Sequence, residues 1–314
     1  MSKKRITRNI LLLLVGISIF VFLIAFKLDL SSFIATISGK ISWGFYVFMS
    51  LLIILQLLLR SFRFNLLFNR VFEDKISLKD SFLLTGASFF VALATPGKLG
   101  DTTRGLFFRK KGVEITAITL VEYSFDTLVI VGIALWGLAF IYRQHLSKIL
   151  FTPVILVAGL FGLFYLLKYS KFENLVNKFS WYEKIRGKIK LLVSHIKTGI
   201  KSRFVLSIGF IFSCLFISIY FLIFYLVLCQ LGANVSITDV LFSAGVGMLI
   251  GTITFIPMGM GTRDASTYGL LCSMGIEPEI AISSVVIMRS LTIPLILVCS
   301  LCYMLAINRF ADKE

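Results

Sequence analysis

The chain has 314 residues, 58% of them in the set AVILMFWYC and only 15% charged, with a mean hydropathy of +0.93. A soluble domain of this size carries about a quarter charged residues, so a soluble globular fold is excluded, as are a disordered chain, a collagen and a disulfide scaffold. The formal net charge is +16, which in so apolar a chain calls for a place along the membrane normal rather than for nucleic acid.

Lys3, Lys4, Arg5 and Arg8 precede a first apolar run, Ile10–Phe26. No small-residue cleavage pattern follows it, so it reads as a retained helix rather than a signal peptide. Five more runs, Ile41–Leu59, Ile115–Ile141, Ile149–Leu167, Phe204–Leu231 and Ile280–Ile307, are also long enough to cross the hydrocarbon as helices. Two further apolar stretches are interrupted. Ser81–Gly97 runs into Pro96, Lys98, Asp101 and Arg104, and Val240–Ile256 runs into Pro257, Arg263 and Asp264 before continuing to Met274. A Pro with several Gly at the midpoint breaks a helix.

The bias of Lys and Arg toward the cytoplasm sets the orientation. With the N-terminal quartet inside, the segment with Arg60, Arg63, Arg70, Lys75 and Lys79 is also inside. A single crossing by residues 81–108 would put Arg109–Lys111 and the ten Lys/Arg of 168–203 outside. A stretch that enters and returns to the same face keeps both inside. The same reasoning makes 240–274 a hairpin from the outside, because its flanks hold Asp239, Glu277 and Glu279 and no basic residue. The expected fold is an all-α polytopic membrane protein, residues 1–314 forming one domain. It has six full spans, re-entrant helical hairpins at 81–108 and 240–274, and both termini cytoplasmic. The excess of positive charge then lies on the cytoplasmic face. Segment 168–203 mixes Lys with Phe172, Trp181, Tyr182 and Ile185. It is read as a basic amphipathic helix on an anionic leaflet, with a solvated connecting loop as the alternative.

The two hairpins resemble each other. Pro96-Gly-Lys-Leu-Gly100 and Pro257-Met-Gly-Met-Gly261 share P-x3-G, and Asp80 and Asp239 start the entering limbs. Gly112-Val-Glu114 and Gly275-Ile-Glu277 follow, and 14 positions after each of those glycines stand Asp126 and Arg289. Repeats over 80–142 and 239–307 that enter from opposite faces form an inverted repeat, the architecture of secondary carriers.

Eight ionisable residues fall within these elements: Lys98, Asp101, Arg104, Glu122, Asp126, Arg263, Asp264 and Arg289. Unpaired charges at the bilayer centre cost on the order of 3 kcal/mol each, so these should face one another or a wet cavity. Asp126 with Arg289 is the expected pair. A half-helix starting after each tip would offer free N–H groups to a phosphate, with Gly97, Gly100, Gly259 and Gly261 allowing close approach and Lys98, Arg104 and Arg263 as cationic donors. Asp101, Thr102, Thr262 and Asp264 stand at those helix starts, and plain N-capping is the alternative for Asp101, Thr102 and Thr262. Glu122 and Asp126, on one helix face, would balance the arginines, bind a cationic head group or carry a coupling proton. Pure scaffolding by ion pairs is the competing account of the whole set. Ser243, Gly247 and Gly251 recur every four residues and suit close helix packing. Cys214, Cys229, Cys272, Cys299 and Cys302 are read as apolar filler. No metal cluster, nucleophile–base pair or cofactor motif is present, and His145 and His195 fall in expected loops.

Thr85-Gly-Ala-Ser-Phe-Phe90, Pro96-Gly-Lys-Leu-Gly-Asp-Thr-Thr-Arg104, Glu122-x3-Asp126 and Pro257-x-Gly-x-Gly261 with Arg289 resemble the lysylphosphatidylglycerol synthase transmembrane, or flippase-like domain, family. The resemblance covers nearly the whole chain. It implies an inner-membrane domain that moves a lipid, in its best-understood relatives an aminoacylated phosphatidylglycerol, between leaflets. Members commonly carry Arg after the acid at the Glu122 position, where this chain has Tyr123. The sequence ends at Glu314, so the expectation is the translocase portion without a synthase domain, and no enzyme. A phospholipid and a polyprenyl-phosphate-linked sugar both fit as substrate. The expected partners are that lipid, anionic lipid at the cytoplasmic face and a separate synthase or glycosyltransferase. A non-transporting partner of a lipid- or glycan-modifying enzyme is the alternative.

Overall fold

A computed structural model of the protein describes residues 39–93, 95, 99–108, 111–141 and 180–311. The expected spans Ile10–Phe26 and Ile149–Leu167 lie outside the described residues, as do Pro96, Gly97, Lys98, Arg109, Lys110 and His145. The described residues are helical, with no strand among them. In chain order the helices are α1 (Trp43–Val71), α2 (Leu78–Leu93), a 3-10 turn (Leu99–Thr103), α3 (Arg104–Phe107), α4 (Gly112–Ile141), α5 (Ser180–Lys201), α6 (Arg203–Gln230), α7 (Ile237–Ile253), α8 (Thr262–Ser273), α9 (Pro278–Ser290) and α10 (Thr292–Ala311).

Four segments among the described residues are long and apolar enough to cross a membrane: Trp43–Val71, Gly112–Gly137, Arg203–Gln230 and Pro278–Phe310. They coincide with four of the six expected spans. Their ends follow from local chemistry. The Ser42 hydroxyl accepts from the Phe45 N–H at 3.2 Å, and Ser202 caps α6 in the same way. Ser236 and Asp239 form a reciprocal capping box on α7. The last span is two helices in line. Pro278 opens α9, the chain breaks at Leu291, and Pro294 sits in the first turn of α10, where its missing N–H costs nothing.

One expectation is corrected here. The first described span does not end at Leu59. Helix α1 runs 29 residues to Val71, about 43 Å at 1.5 Å per residue, and carries Arg60 and Arg63 along its length rather than in a loop. Apolar residues continue beyond them, and Phe64, Leu67 and Phe68 are buried, so the burial energy of that turn keeps the helix going.

The interrupted stretches fold differently from each other. Helices α7 and α8 pack as a hairpin, Gly247 against Thr267 and Gly251 against Gly259. A Cβ at Gly251 would stand 3.2 Å from the Gly259 Cα and 2.9 Å from the Arg263 Cβ, which explains the small residues every four positions. In the first stretch the returning limb is not the expected half-helix. It is a 3-10 turn followed by the four-residue α3, and Gly100 lies so close to the α2 backbone at Ala92 that no Cβ fits. Crowding against α2 shortens this limb.

Packing between the halves is reciprocal: α2 lies along α10, and α7 lies along α4. Gly86 of α2 receives Cys302 and Cys299, and Gly137 of α4 receives Phe242 of α7. The core divides into two apolar clusters. One contains Met49, Ile53 and Leu57 with Val129, Ile130, Phe216 and Phe221. The other contains Phe64, Leu67 and Phe68 with Ile115, Ile118, Val121, Phe125 and Val205. Helices α1, α4 and α6 each contribute to both clusters, and the charged residues lie between them.

Helix α5 packs on α4 and α6, with Gly199 against Ile118 and Val121. His195, expected in a loop, is in this helix and meets the Phe72 ring edge-on at 5.0 Å between centroids. Of the segment 168–203, residues 180–201 are helical, and residues 168–179 lie outside the described residues.

Candidate charged site

Between the two apolar clusters, six charged side chains from four elements meet. Arg60 and Arg63 come from α1, Asp101 from the 3-10 turn, Arg104 from α3, and Glu122 and Asp126 from α4. Arg63 is 1% exposed and is the hub. Its Nε donates to Glu122 Oε1 at 2.9 Å and its NH1 to Asp126 Oδ1 at 2.6 Å. The same NH1 reaches Ser213 Oγ of α6 at 2.6 Å, and Ser213 donates on to Asp126 Oδ1 at 2.7 Å. Glu122 is shared: its second oxygen accepts from Arg104 NH1 at 2.7 Å, while Arg104 Nε donates to Ser88 Oγ of α2 at 3.1 Å. Arg60 is looser, 3.3 Å from Asp101 Oδ2 and 3.6 Å from Asp126 Oδ2.

Three guanidinium groups and three carboxylates cancel. Aromatic faces complete the shell, with Phe216 5.3 Å from Arg60 and 5.0 Å from Arg63, and Phe64 5.0 Å from Arg104. Charges at this depth survive only when paired and hydrogen-bonded, and most of these donors and acceptors are satisfied. Asp101 Oδ1 and Arg60 Nε have no hydrogen-bond partner. Both residues line a small, partly open pocket, with room for about one water, shared with Arg63, Arg104, Thr119, Glu122, Tyr123 and Asp126.

A second centre joins α8 to α9. Arg289 clamps Asp264 through Nε to Oδ1 and NH2 to Oδ2, each at 2.9 Å. Asp264 Oδ2 also accepts the Gly261 N–H at 2.9 Å, so this acid caps its own helix. Gly261, with φ of +82°, supplies the left-handed turn that aims its N–H at that carboxylate. Thr262 shares a hydroxyl–hydroxyl bond of 2.9 Å with Thr254. Arg263, one residue before Asp264, takes neither acid. It donates to the Tyr220 hydroxyl of α6, and its guanidinium lies 4.8 Å from that ring's centroid.

The structure therefore redistributes the residues expected from sequence. Asp101, Arg104, Glu122 and Asp126 come together, and Asp264 and Arg289 come together. The expected Asp126–Arg289 pair does not form, and Arg289 is absent from the network of Glu122 and Asp126. Arg60 and Arg63 stand nearer to Asp126 and win it. Among the described residues, the two sets of ion pairs share no residue. Arg104 is occupied by Glu122 rather than free for an anion. Thr102 and Gly100 lie in the 3-10 turn, and Gly259 packs against Gly251 instead of leaving its backbone open. In the two centres, five arginines (Arg60, Arg63, Arg104, Arg263 and Arg289) stand with four acids (Asp101, Glu122, Asp126 and Asp264), and among the described residues Arg263 is the one of the five without a carboxylate partner.

Sequence reasoning missed Arg60 and Arg63 by counting them toward the cytoplasmic charge. The available signal was the apolar run that resumes at Phe64, which makes the two arginines an interruption of a helix rather than its end. Tyr220 and Ser213 carried no signal, because a Tyr or Ser within an apolar run is unremarkable until its neighbour is known.

No group of three or more potential metal ligands occurs among the described residues. No curated protein and no solved structure matches the chain. The family described as the lysylphosphatidylglycerol synthase TM region matches residues 10–299, nearly the whole chain, in keeping with four apolar spans and the glycine-interrupted segments between them. The chain belongs to that family, as a multi-pass membrane protein.

Proposed function

We propose that this protein is a lipid translocase of the cytoplasmic membrane, moving a phosphate-containing lipid between leaflets, with aminoacylated phosphatidylglycerol among the candidates. The observation that carries the reading is the manner in which both interrupted segments are held. Each reaches the interior and is tied to a spanning helix by charge: Asp101 and Arg104 to α1 and α4, and Asp264 to Arg289 of α9. A passive anchor has no need of charged links at that depth, whose formation carries a desolvation cost. Reciprocal packing of α2 on α10 and of α7 on α4 supports an inverted repeat with 81–108 and 240–274 as re-entrant elements, and the bias of Lys and Arg in the sequence supports cytoplasmic termini. Membership of a lipid-related family supports a lipid as cargo. Exposed Leu191, Val193, Lys197 and Lys201 on α5 support its contact with anionic lipid. On this reading the chain is a carrier and not a transferase.

The test is leaflet exchange in proteoliposomes. Fluorescent phosphatidylglycerol, phosphatidylethanolamine and a polyprenyl phosphate are reconstituted with the purified protein, and the inner-leaflet fraction reached by a membrane-impermeant quencher is followed in time. Exchange faster than in protein-free vesicles for at least one lipid is expected, and the lipid that moves separates phospholipid from polyprenyl-linked cargo. Rates equal to empty vesicles across the panel would sink the proposal.

One observation favours a second reading, a non-transporting partner of a lipid- or glycan-modifying enzyme. The six-charge centre neutralises itself, which is sufficient for scaffolding. Under that reading the vesicles stay tight, while loss of Arg63 still damages folding.

A further inference from the structure

The three acids between the apolar clusters are held unequally. Both oxygens of Glu122 accept from arginines, Oε1 from Arg63 and Oε2 from Arg104. Asp126 accepts at Oδ1 from Arg63 and the Ser213 hydroxyl, and at Oδ2 from Arg63 again. Asp101 has one side-chain bond among the described residues, from Arg60 NH2 to Oδ2 at 3.3 Å. Its Oδ1 is buried without a partner although the residue is only 4% exposed, and Asp101 lines the pocket that has room for about one water. Arg60 is loosely held as well. Its Nε is unpartnered, and its NH2 stands between two acids, 3.3 Å from Asp101 and 3.6 Å from Asp126.

The groups that face Asp101 from the neighbouring elements do not supply the missing bond. On α1, Arg63 is occupied by Glu122, Asp126 and Ser213, and on α3, Arg104 is occupied by Glu122 and Ser88. Helix α4 brings Tyr123 to the pocket beside its two acids, and α10 brings the thiol of Cys299. Helix α2 meets the turn at Ala92, and its ionisable residues, Lys79 and Asp80, stand at its other end. A buried carboxylate short of donors keeps a desolvation cost that its bonded neighbours have offset, and a proton removes that cost.

We propose that Asp101 is where this carrier takes up a proton, and that the proton acts through Arg60. With Asp101 ionised, Arg60 ties the 3-10 turn to α1. A proton from water, forming an O–H bond at Oδ1, neutralises the acid, and Arg60 passes to Asp126. The turn and the returning limb behind it are then released from α1. Two arrangements of one arginine between two acids make a two-state element that a proton biases. The inference rests on the translocase reading and adds its energy coupling: lipid movement is linked to a proton gradient. It also relocates the coupling proton, for which Glu122 and Asp126 were the candidates from sequence. Both of those acids are fully bonded, and Asp126 serves as the second seat of Arg60.

The test begins with infrared difference spectra of the full chain in lipid nanodiscs, recorded as the pH is lowered from about 8 to about 5. The wild type should gain a protonated-carboxyl band that shifts in heavy water. Asp101→Asn should lose it, and Asp101→Glu should keep it at an altered frequency. The second measurement is the steady-state leaflet ratio of fluorescent phosphatidylglycerol in vesicles under an imposed pH gradient. One proton per lipid changes that ratio by up to about tenfold per pH unit. The wild type should follow the gradient and Asp101→Asn should ignore it. Arg60→Gln should keep the band and lose the response, because the proton then has no arginine to move. A wild-type spectrum without the band overturns the inference, whatever the variants do. So does a band that persists unchanged in Asp101→Asn, which would assign the proton to another acid, or lipid exchange indifferent to the gradient. The two proposals fail separately. Exchange without an Asp101 band removes this inference alone, and an Asp101 band in vesicles that do not exchange lipid removes the translocase reading and leaves the proton-operated release of Arg60.

Discussion

Arg63 shows how much one side chain can decide. Its guanidinium satisfies Glu122, Asp126 and Ser213 at once, so three helices share one cation. Removing one partner of a buried ion pair leaves an uncompensated charge and costs about 3–5 kcal/mol. Arg63→Met is therefore expected to lower stability by that order, measured by denaturant titration in detergent micelles. Arg60→Met should cost clearly less, because its side chain is 15% exposed and its two carboxylate contacts are 3.3 and 3.6 Å long. Equal losses for the two variants would contradict the hub role. The sequence marked Glu122 and Asp126 through their i, i+4 spacing, a local property. It did not mark Arg63 as their partner, because 59 and 63 residues separate them and charge counting by loop assigned the arginine elsewhere.

At the scale of elements, the hairpin of α7 and α8 depends on the absence of side chains where the two helices touch. A Cβ at Gly251 would meet both the Gly259 backbone and the Arg263 Cβ. Gly251→Val should force the helices apart and destabilise by roughly 1–3 kcal/mol, the range for overpacking, read as a lowered midpoint of thermal unfolding. Gly132, with nothing near its Cβ direction, is the matched control and should tolerate Ala. The stripe Ser243, Gly247, Gly251 was legible in sequence, since spacing by four needs only helix geometry. The form of the first returning limb was not. A 3-10 turn and a half-helix are both compatible with Leu-Gly-Asp-Thr-Thr, and only the closeness of Ala92 to Gly100 selects the tighter one.

Over the whole molecule, the defining relation is the exchange of partners between halves, α2 with α10 and α7 with α4. The Asp80–Arg309 ion pair marks where the first meeting closes, at the start of α2 and the end of α10. A chain with its native cysteines replaced and carrying Asp80→Cys and Arg309→Cys is expected to be joined internally by a short bis-methanethiosulfonate reagent that spans the gap left by the arginine stem, detected after proteolytic cleavage between the two positions by retention of both fragments in one band. Fragments that separate without reductant would refute the packing. If the halves move against each other during transport, the cross-linked protein should also exchange lipid more slowly, with recovery on reduction.

By itself the sequence determined the apolar spans, the two sites where helices break and the excess of positive charge outside the spans. Each is a property of a short window: burial free energy summed along a turn, the missing N–H of proline, the conformational freedom of glycine. It also implied that charges in the interior must find partners. Which partners they find was decided by the tertiary structure alone, because Coulomb energy depends on distance between helices that are remote in sequence. That choice bound Asp126 to Arg63 and Arg60, left Arg289 to Asp264, and set Arg263 against a tyrosine with its charge uncancelled.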